Sequence, residues 1–169
     1  MPELTTQKRF MRRGVSKFFF LATIANPKIG PSREEIIAGT ELSDRISDVE
    51  GWALENTPID TPDMGTDYTS SIPGEDKAEN SALTFYEDRE DSSVETLLSK
   101  GVEGYVVIFR KGDIPASPSM DTFSVRVGAR SASYTTAAEP AKFRVSFNIT
   151  SKPALDSAIP AAAVSGGGA

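Results

Sequence analysis

The chain contains no cysteine and no histidine in 169 residues. Without cysteine there are no disulfides, no thiolate nucleophile and no thiolate zinc site. Without histidine the commonest general base, the commonest metal ligand and every imidazole-dependent triad are also gone. Long hydrophobic runs are missing too: none approaches the roughly 18 apolar residues that a membrane span requires. Tryptophan is limited to Trp52 and tyrosine to four residues, which is sparse for a carbohydrate cleft. A net charge of −6 argues against a broad basic face that grips nucleic-acid phosphates.

What is present suits one globular domain with arms. The hydrophobic fraction is 38% and the charged fraction 25%, ordinary for a folded soluble chain. Charge is unevenly placed. Residues 1–33 carry seven basic side chains against Glu3, residues 34–100 carry 18 acids against four bases, and the remainder is slightly basic. Two readings of this remain open. The charges are solvated faces, or the basic arm of one copy lies on the acidic face of another. The run Lys8 to Ala25 has the outline of a secretory signal, but Lys17 precedes a short, Phe- and Ile-bearing stretch without a good cleavage site. A basic arm over residues 1–17 followed by a first strand is the expected arrangement.

Strands are expected at Phe18–Ile24, Trp52–Ile59 (demoted at its end by Pro58), Ala82–Glu87, Gly104–Arg110, Thr122–Arg130 and Ala141–Thr150. In the last, Phe143, Val145, Phe147 and Ile149 alternate with Arg144, Ser146, Asn148 and Thr150, so one face is buried and the other is wet or packed on a polar neighbour. Two capping-box patterns predict helical turns: Ser32 with Glu35, closing at Gly39, and Ser92 with Glu95, closing at Gly101. The second, striped by Val94, Leu97 and Leu98, is the clearer helix. Residues 60–80 read as a long polar loop and residues 153–169 as an Ala/Gly-rich C-terminal tail whose end, "IPAAAVSGGGA", is expected to be flexible. The fold class this predicts is mainly β: an antiparallel sandwich or partly closed barrel with one flanking α-helix, a long hairpin loop and extended N- and C-terminal arms.

Catalytic chemistry finds weak support. Glu87 with Glu90 and Asp60 with Asp63 are carboxylate pairs in turn-like settings, where solvated acids are ordinary. Asp60, Asp63 and Asp67 with Gly65 hint at a calcium loop but lack the ligand-every-second-residue pattern. Asn148 opens an N-x-T sequon within an expected strand. No phosphate-cradling glycine loop is present, and no cofactor, metal ligand or catalytic residue is assigned.

Five segments, in order, carry a resemblance: "GVSKFFFLATIANPKIGPSREEIIAGTELSDRISDVEGW", "NTPIDTPDMGTDYTSSIPGEDKAENSALTFYED", "VETLLSKGVEGYVVIFRKGD", "MDTFSVRVGARS" and "AKFRVSFNITSKPALDSAIPA". Together they resemble the major tail tube proteins of long-tailed phages, particularly those of actinobacterial hosts, over residues 14–161. The resemblance implies a structural virion protein without a reaction. Hexameric rings would stack into a hollow tube that conducts DNA without specific binding, with a tape-measure protein and tail-end proteins as partners and assembly in the host cytoplasm. It also implies an inter-ring loop, here Ile72, Pro73, Gly74, Asp76 and Lys77 near its tip. Arg9, Arg12 and Arg13 of the arm are expected at a subunit interface, and Glu41, Asp44, Asp48 and Glu50 at the lumen or an interface. Other classes remain open: a monomeric carbohydrate- or receptor-binding sandwich, a carboxylate hydrolase, or a related tube subunit such as a tail terminator or secretion-system tube.

Overall fold

The computed structural model describes residues 3–161. It is mainly β, with open antiparallel sheets, two short helices and no closed barrel among the described residues. The chain divides into two compact units, one from residues 3–44, 104–123 and 153–161, the other from residues 45–103 and 124–152.

In the first unit β1 (Lys17–Leu21) runs antiparallel to β2 (Thr40–Glu41) and to β7 (Glu103–Phe109), which neighbours the start of β8 (Met120–Ser133). β10 (Ala154–Ser157) pairs with that same start of β8. The aromatic and β-branched run of β1 works as the sequence suggests. Phe19 and Leu21 pack with Val107, Phe109, Met120 and Ile159, and the Phe19 and Phe109 rings sit 5.0 Å apart. α1 (Arg33–Ala38) starts where Ser32 accepts a hydrogen bond from the Glu35 amide. The reciprocal half of the box is not made: Glu35 Oε1 accepts instead from the Ala25 amide at 3.4 Å.

The C-terminal tail is corrected where its expected flexible end begins, at Ile159, and the residues before it are ordered. Residues 154–157 form β10, Ile159 is buried, and its amide donates to the Ser117 carbonyl at 3.0 Å. Arg33 makes a bidentate pair with Asp113 and donates onward to the carbonyls of Pro160 and Ala161. Its hydrogen bonds, helped by its charge, hold the Asp113 carboxyl below the usual range. Residues 162–169 of the expected tail lie outside the described residues.

The second unit holds β3 (Ile46–Glu50), β4 (Leu54–Thr61), β5 (Ser70–Ala78), β6 (Ser81–Tyr86), α2 (Ser93–Leu97), the rest of β8 and β9 (Lys142–Ile149). The strand order is β8-β9-β6-β3. Alternation in β9 behaves as read: Phe143, Val145 and Phe147 are buried opposite Phe85, Leu83 and Val127. The Phe85 and Phe143 rings stack at 5.4 Å. α2 is barely more than one turn, and Ser92 makes no side-chain cap. Val94 and Leu98 are buried, and Arg130 reaches across to the Glu95 carbonyl.

The expected long polar loop over 60–80 is shorter than read, because most of it is paired as hairpin strand. Residues 70–78 are strand β5, paired antiparallel with β4, so the connection shrinks to residues 62–69. Pro58 does not end its strand. A bulge between Thr57 and Ile59 absorbs it together with Pro73 and Gly74. Neither proline has an amide to give the ladder, and the Asn56 side chain makes good the gap. It accepts from the Gly74 amide (3.3 Å) and donates to the Gly74 carbonyl (3.2 Å) and Asp76 Oδ1 (2.7 Å). A Cβ at Gly74 would lie 2.2 Å from the Thr57 carbonyl oxygen, so no larger residue fits there.

Arg33→Ala should loosen the C-terminal segment selectively. Hydrogen exchange at the Ile159 amide is expected to accelerate about tenfold or more, as loss of roughly 1.4 kcal/mol or more implies, with amides of β6 unchanged.

Candidate assembly surface

β4 and β5 pair only with each other; no other strand joins them among the described residues. Two-stranded ribbons are marginal on their own. This one is anchored at its root. Gly51 and Trp52 both adopt positive φ (76° and 64°), turning the chain sharply out of β3. The Trp52 amide donates to Ser81 Oγ at 3.0 Å, and its indole N–H to the Ala82 carbonyl at 3.3 Å. The indole packs 5.5 Å from the Phe147 ring. On the returning side the Glu79 amide donates to the Ala53 carbonyl. The sole tryptophan therefore pins the ribbon to the β6–β9 core.

Further out, the ribbon carries apolar side chains that the described residues leave exposed. Ile59 and Ile72 are directly opposed in the register, and they are 53% and 52% exposed. Met64 and Tyr68 in the connection are fully or largely exposed. Around them stand Glu55, Asp60, Asp63, Asp67, Glu75 and Asp76, with Lys77 the only base of the ribbon. The other concentration of uncovered apolar groups is the arm. Leu4, Phe10 and Met11 are exposed there among Lys8, Arg9, Arg12 and Arg13. Its root is fastened: the Arg110 carbonyl accepts from Ser16 Oγ (2.7 Å) and Arg12 Nη1 (3.1 Å). Arg110 in turn grips Asp121 and Asp156. Burial pushes the Asp121 carboxyl up despite that cation.

The residues singled out in the sequence are placed as follows. Ile72, Pro73, Gly74, Asp76 and Lys77 lie in β5 and not at the tip, which is residues 62–69. Arg9 and Arg13 are exposed and make no salt bridge among the described residues. Glu41 sits in β2, 3.9 Å from Lys17, and Asp44 in an exposed 3-10 turn. Asp48 and Glu50 lie on β3, the last strand of its sheet, with Glu50 paired to Arg144 at 2.8 Å. Asp63 Oδ1 accepts from the Gly65 amide in a local turn, and no metal-binding group of carboxylates occurs among the described residues. Ile59, Met64, Tyr68 and the Trp52 anchor escaped the sequence reading, because only the pairing of β4 with β5 groups them. No helix among the described residues is long and apolar enough to cross a membrane.

Near the ribbon's root Glu79 lies against Glu55, whose carboxyl hydrogen-bonds it and repels its charge, holding the Glu79 pKa above the usual value. A raised carboxyl contributes stability below its unfolded pKa and loses it as pH rises through the folded one. Glu55→Gln should therefore lower the Glu79 pKa in an NMR titration and flatten this pH dependence.

Comparison with known proteins agrees with this geometry. Residues 4–162 match the family model described as phage tail tube protein. No curated protein matches the chain. Among solved structures the fold is similar to a chain of the sheath/tube terminator of an extracellular contractile injection system in its extended state. The TM-score is 0.59 at 10% identity, covering 88% of this chain and 97% of that one. A chain of the six-fold symmetrised anti-feeding prophage baseplate is similar at TM-score 0.54 and 10% identity, covering 89% and 95%. The anti-feeding prophage tube-terminating cap gives 0.52 at 12%, covering 91% and 92%.

Proposed function

We propose, from the premise that this chain belongs to the phage tail tube protein family, that it forms six-membered rings stacked into the hollow tube of a virion tail. DNA passes through that tube without specific binding. The observation that carries this reading is the ribbon of β4 and β5: an anchored, acidic, two-stranded arm whose Ile59–Ile72 pair stays half exposed among the described residues. Such a ribbon gains its stability from another copy. The basic, apolar-studded N-terminal arm has the complementary character, so ribbon and arm are the ring-to-ring contacts. Within a ring, the outer edge of β3 offers unpaired backbone groups for strand addition. The six-fold symmetry of one similar assembly supports the ring number. The quoted segments point to a long-tailed phage of an actinobacterial host, with assembly in its cytoplasm around a tape-measure protein. Tail-end proteins would meet the tube at its ends.

A second reading is favoured by one observation, the likeness to a sheath/tube terminator chain. A terminator makes a single ring at a tube end and does not stack. Negative-stain electron microscopy of concentrated protein separates the two: hollow tubes support the tube subunit, lone rings the terminator, and monomers neither.

Ile59→Ser with Ile72→Ser should leave a folded monomer and abolish tubes. Re-covering a half-exposed isoleucine contributes about 1 kcal/mol, so losing two weakens each contact roughly 30-fold or more. Arg12→Glu with Arg13→Glu should raise the concentration needed for stacking, with the difference shrinking as salt is added. Sedimentation of tubes across protein and salt concentration checks both.

A further inference from the structure

The second unit's sheet also has a polar face. Opposite its buried aromatic side, β6, β9 and β8 present Thr84, Ser146, Asn148 and Ser131, all short and polar. Three cations share this face, two of them paired to carboxylates and the third set over an aromatic ring. Arg144 donates through Nη2 (2.8 Å) and Nε (3.3 Å) to Glu50 Oε2, reaching across β6 to do so. Arg126 Nη1 lies 3.8 Å from Glu103. Lys142 Nζ stands 5.8 Å over the Tyr86 ring. The arginine pairs are exposed, 47%/47% and 57%/72% by side chain. At such exposure an ion pair is worth about 0–1 kcal/mol, too little to explain them as braces of the sheet. What they change is the charge the face presents. A protein interface would instead place apolar groups here and deplete charge from its centre.

We infer that this face is the wall past which nucleic acid moves, and that Glu50 and Glu103 mask Arg144 and Arg126 so that the wall does not hold phosphates. The inference rests on the tube reading above and assigns its inner surface. Free guanidinium groups repeated around every ring would each take a phosphate and release counterions, a sum that would hold a duplex fast. Tied to carboxylates of the same chain, they keep their charges partnered at home.

The absence of cysteine makes the test clean. Asn148→Cys is introduced, and tubes are treated with a small maleimide or with a maleimide on a long polyethylene glycol. The small reagent should label and the large one should not, while unassembled protein takes both. Labelling of tubes by both reagents, or by neither, would put Asn148 outside or in an interface and overturn the assignment. Failure to form tubes at all would sink the tube reading beneath it. A second measurement does not need assembly. Unassembled Glu50→Gln/Glu103→Gln protein should bind a labelled DNA duplex by anisotropy where the native chain does not. The binding should weaken about tenfold between roughly 50 and 200 mM salt, the slope for two phosphate contacts. Equal binding by both proteins would overturn the masking role.

Discussion

A two-stranded ribbon cannot bury its own apolar residues, and this constraint organises the proposed assembly surface. Ile59 and Ile72 face each other across β4 and β5. Opposed side chains of a lone hairpin shelter one flank of each other and leave the rest to water. The chain nevertheless specifies this ribbon with care. Asn56 supplies the hydrogen bonds that two prolines cannot, and Gly74 leaves room for the Thr57 carbonyl where a Cβ would collide. Thr61 and Ser70 close the far end hydroxyl to hydroxyl at 2.9 Å. A segment needed only as slack would not require such detail. The local chemistry holds the ribbon's shape in advance, lowering the ordering cost of binding.

The anchors follow the same logic. Trp52 spends its amide, its indole N–H and its ring on β6 and Phe147, at a backbone angle unusual for its type. Gly51 is required beside it, since a Cβ there would lie 2.4 Å from the Asn80 carbonyl oxygen. In the first unit Arg110 gathers the root of the N-terminal arm through its carbonyl, and β8 and β10 through its guanidinium. Arg33 does the same for the last described residues. The extensions therefore leave the fold from fixed points. A docking arm on a fixed root gains more from a partner than one on a loose tether.

Legibility in the sequence tracked the source of each element's stability. β9 and β6 were plain because a buried face imposes period two on the residues that fill it. α1 was plain because its cap is local. β5 was hidden by Pro73 and Gly74, which signal a turn in isolation and prove to be a bulge once β4 is opposite. β3, rich in Ser, Asp and Glu, carries little apolar signal because it is an edge with a wet face. β10 is four residues long, with Asp156 at positive φ, and is held by Arg110 and Asp121 from elsewhere in the chain. Capping-box spacing at Ser92 misled as to detail: the helix forms without the side-chain bond. The acids were legible as residues but not as sites: register puts Asp48 in the row of Thr84 and Arg144, yet the Arg144 side chain reaches diagonally to Glu50 on the same face.

Electrostatics is put to two opposite uses in the proposed tube, and the difference lies in pairing. On the ribbon and arm, charges of opposite sign are left free on separate elements, where they attract at a distance and fade within a Debye length of about 8–10 Å. Screening them slows encounter, but the Ile59–Ile72 pair is unaffected by that screening and holds the contact once made. On the sheet face, opposite charges are set side by side, so that little field reaches the solvent. A net charge of −6 spread evenly could do neither. Free charge suits a surface that must find its neighbour, and cancelled charge one that a polyanion must pass without stopping. In the proposed tube that division lets Arg126 and Arg144 stand in an exposed sheet next to nucleic acid, and assigns Arg9 and Arg13, which make no salt bridge among the described residues, to the proposed contact between rings.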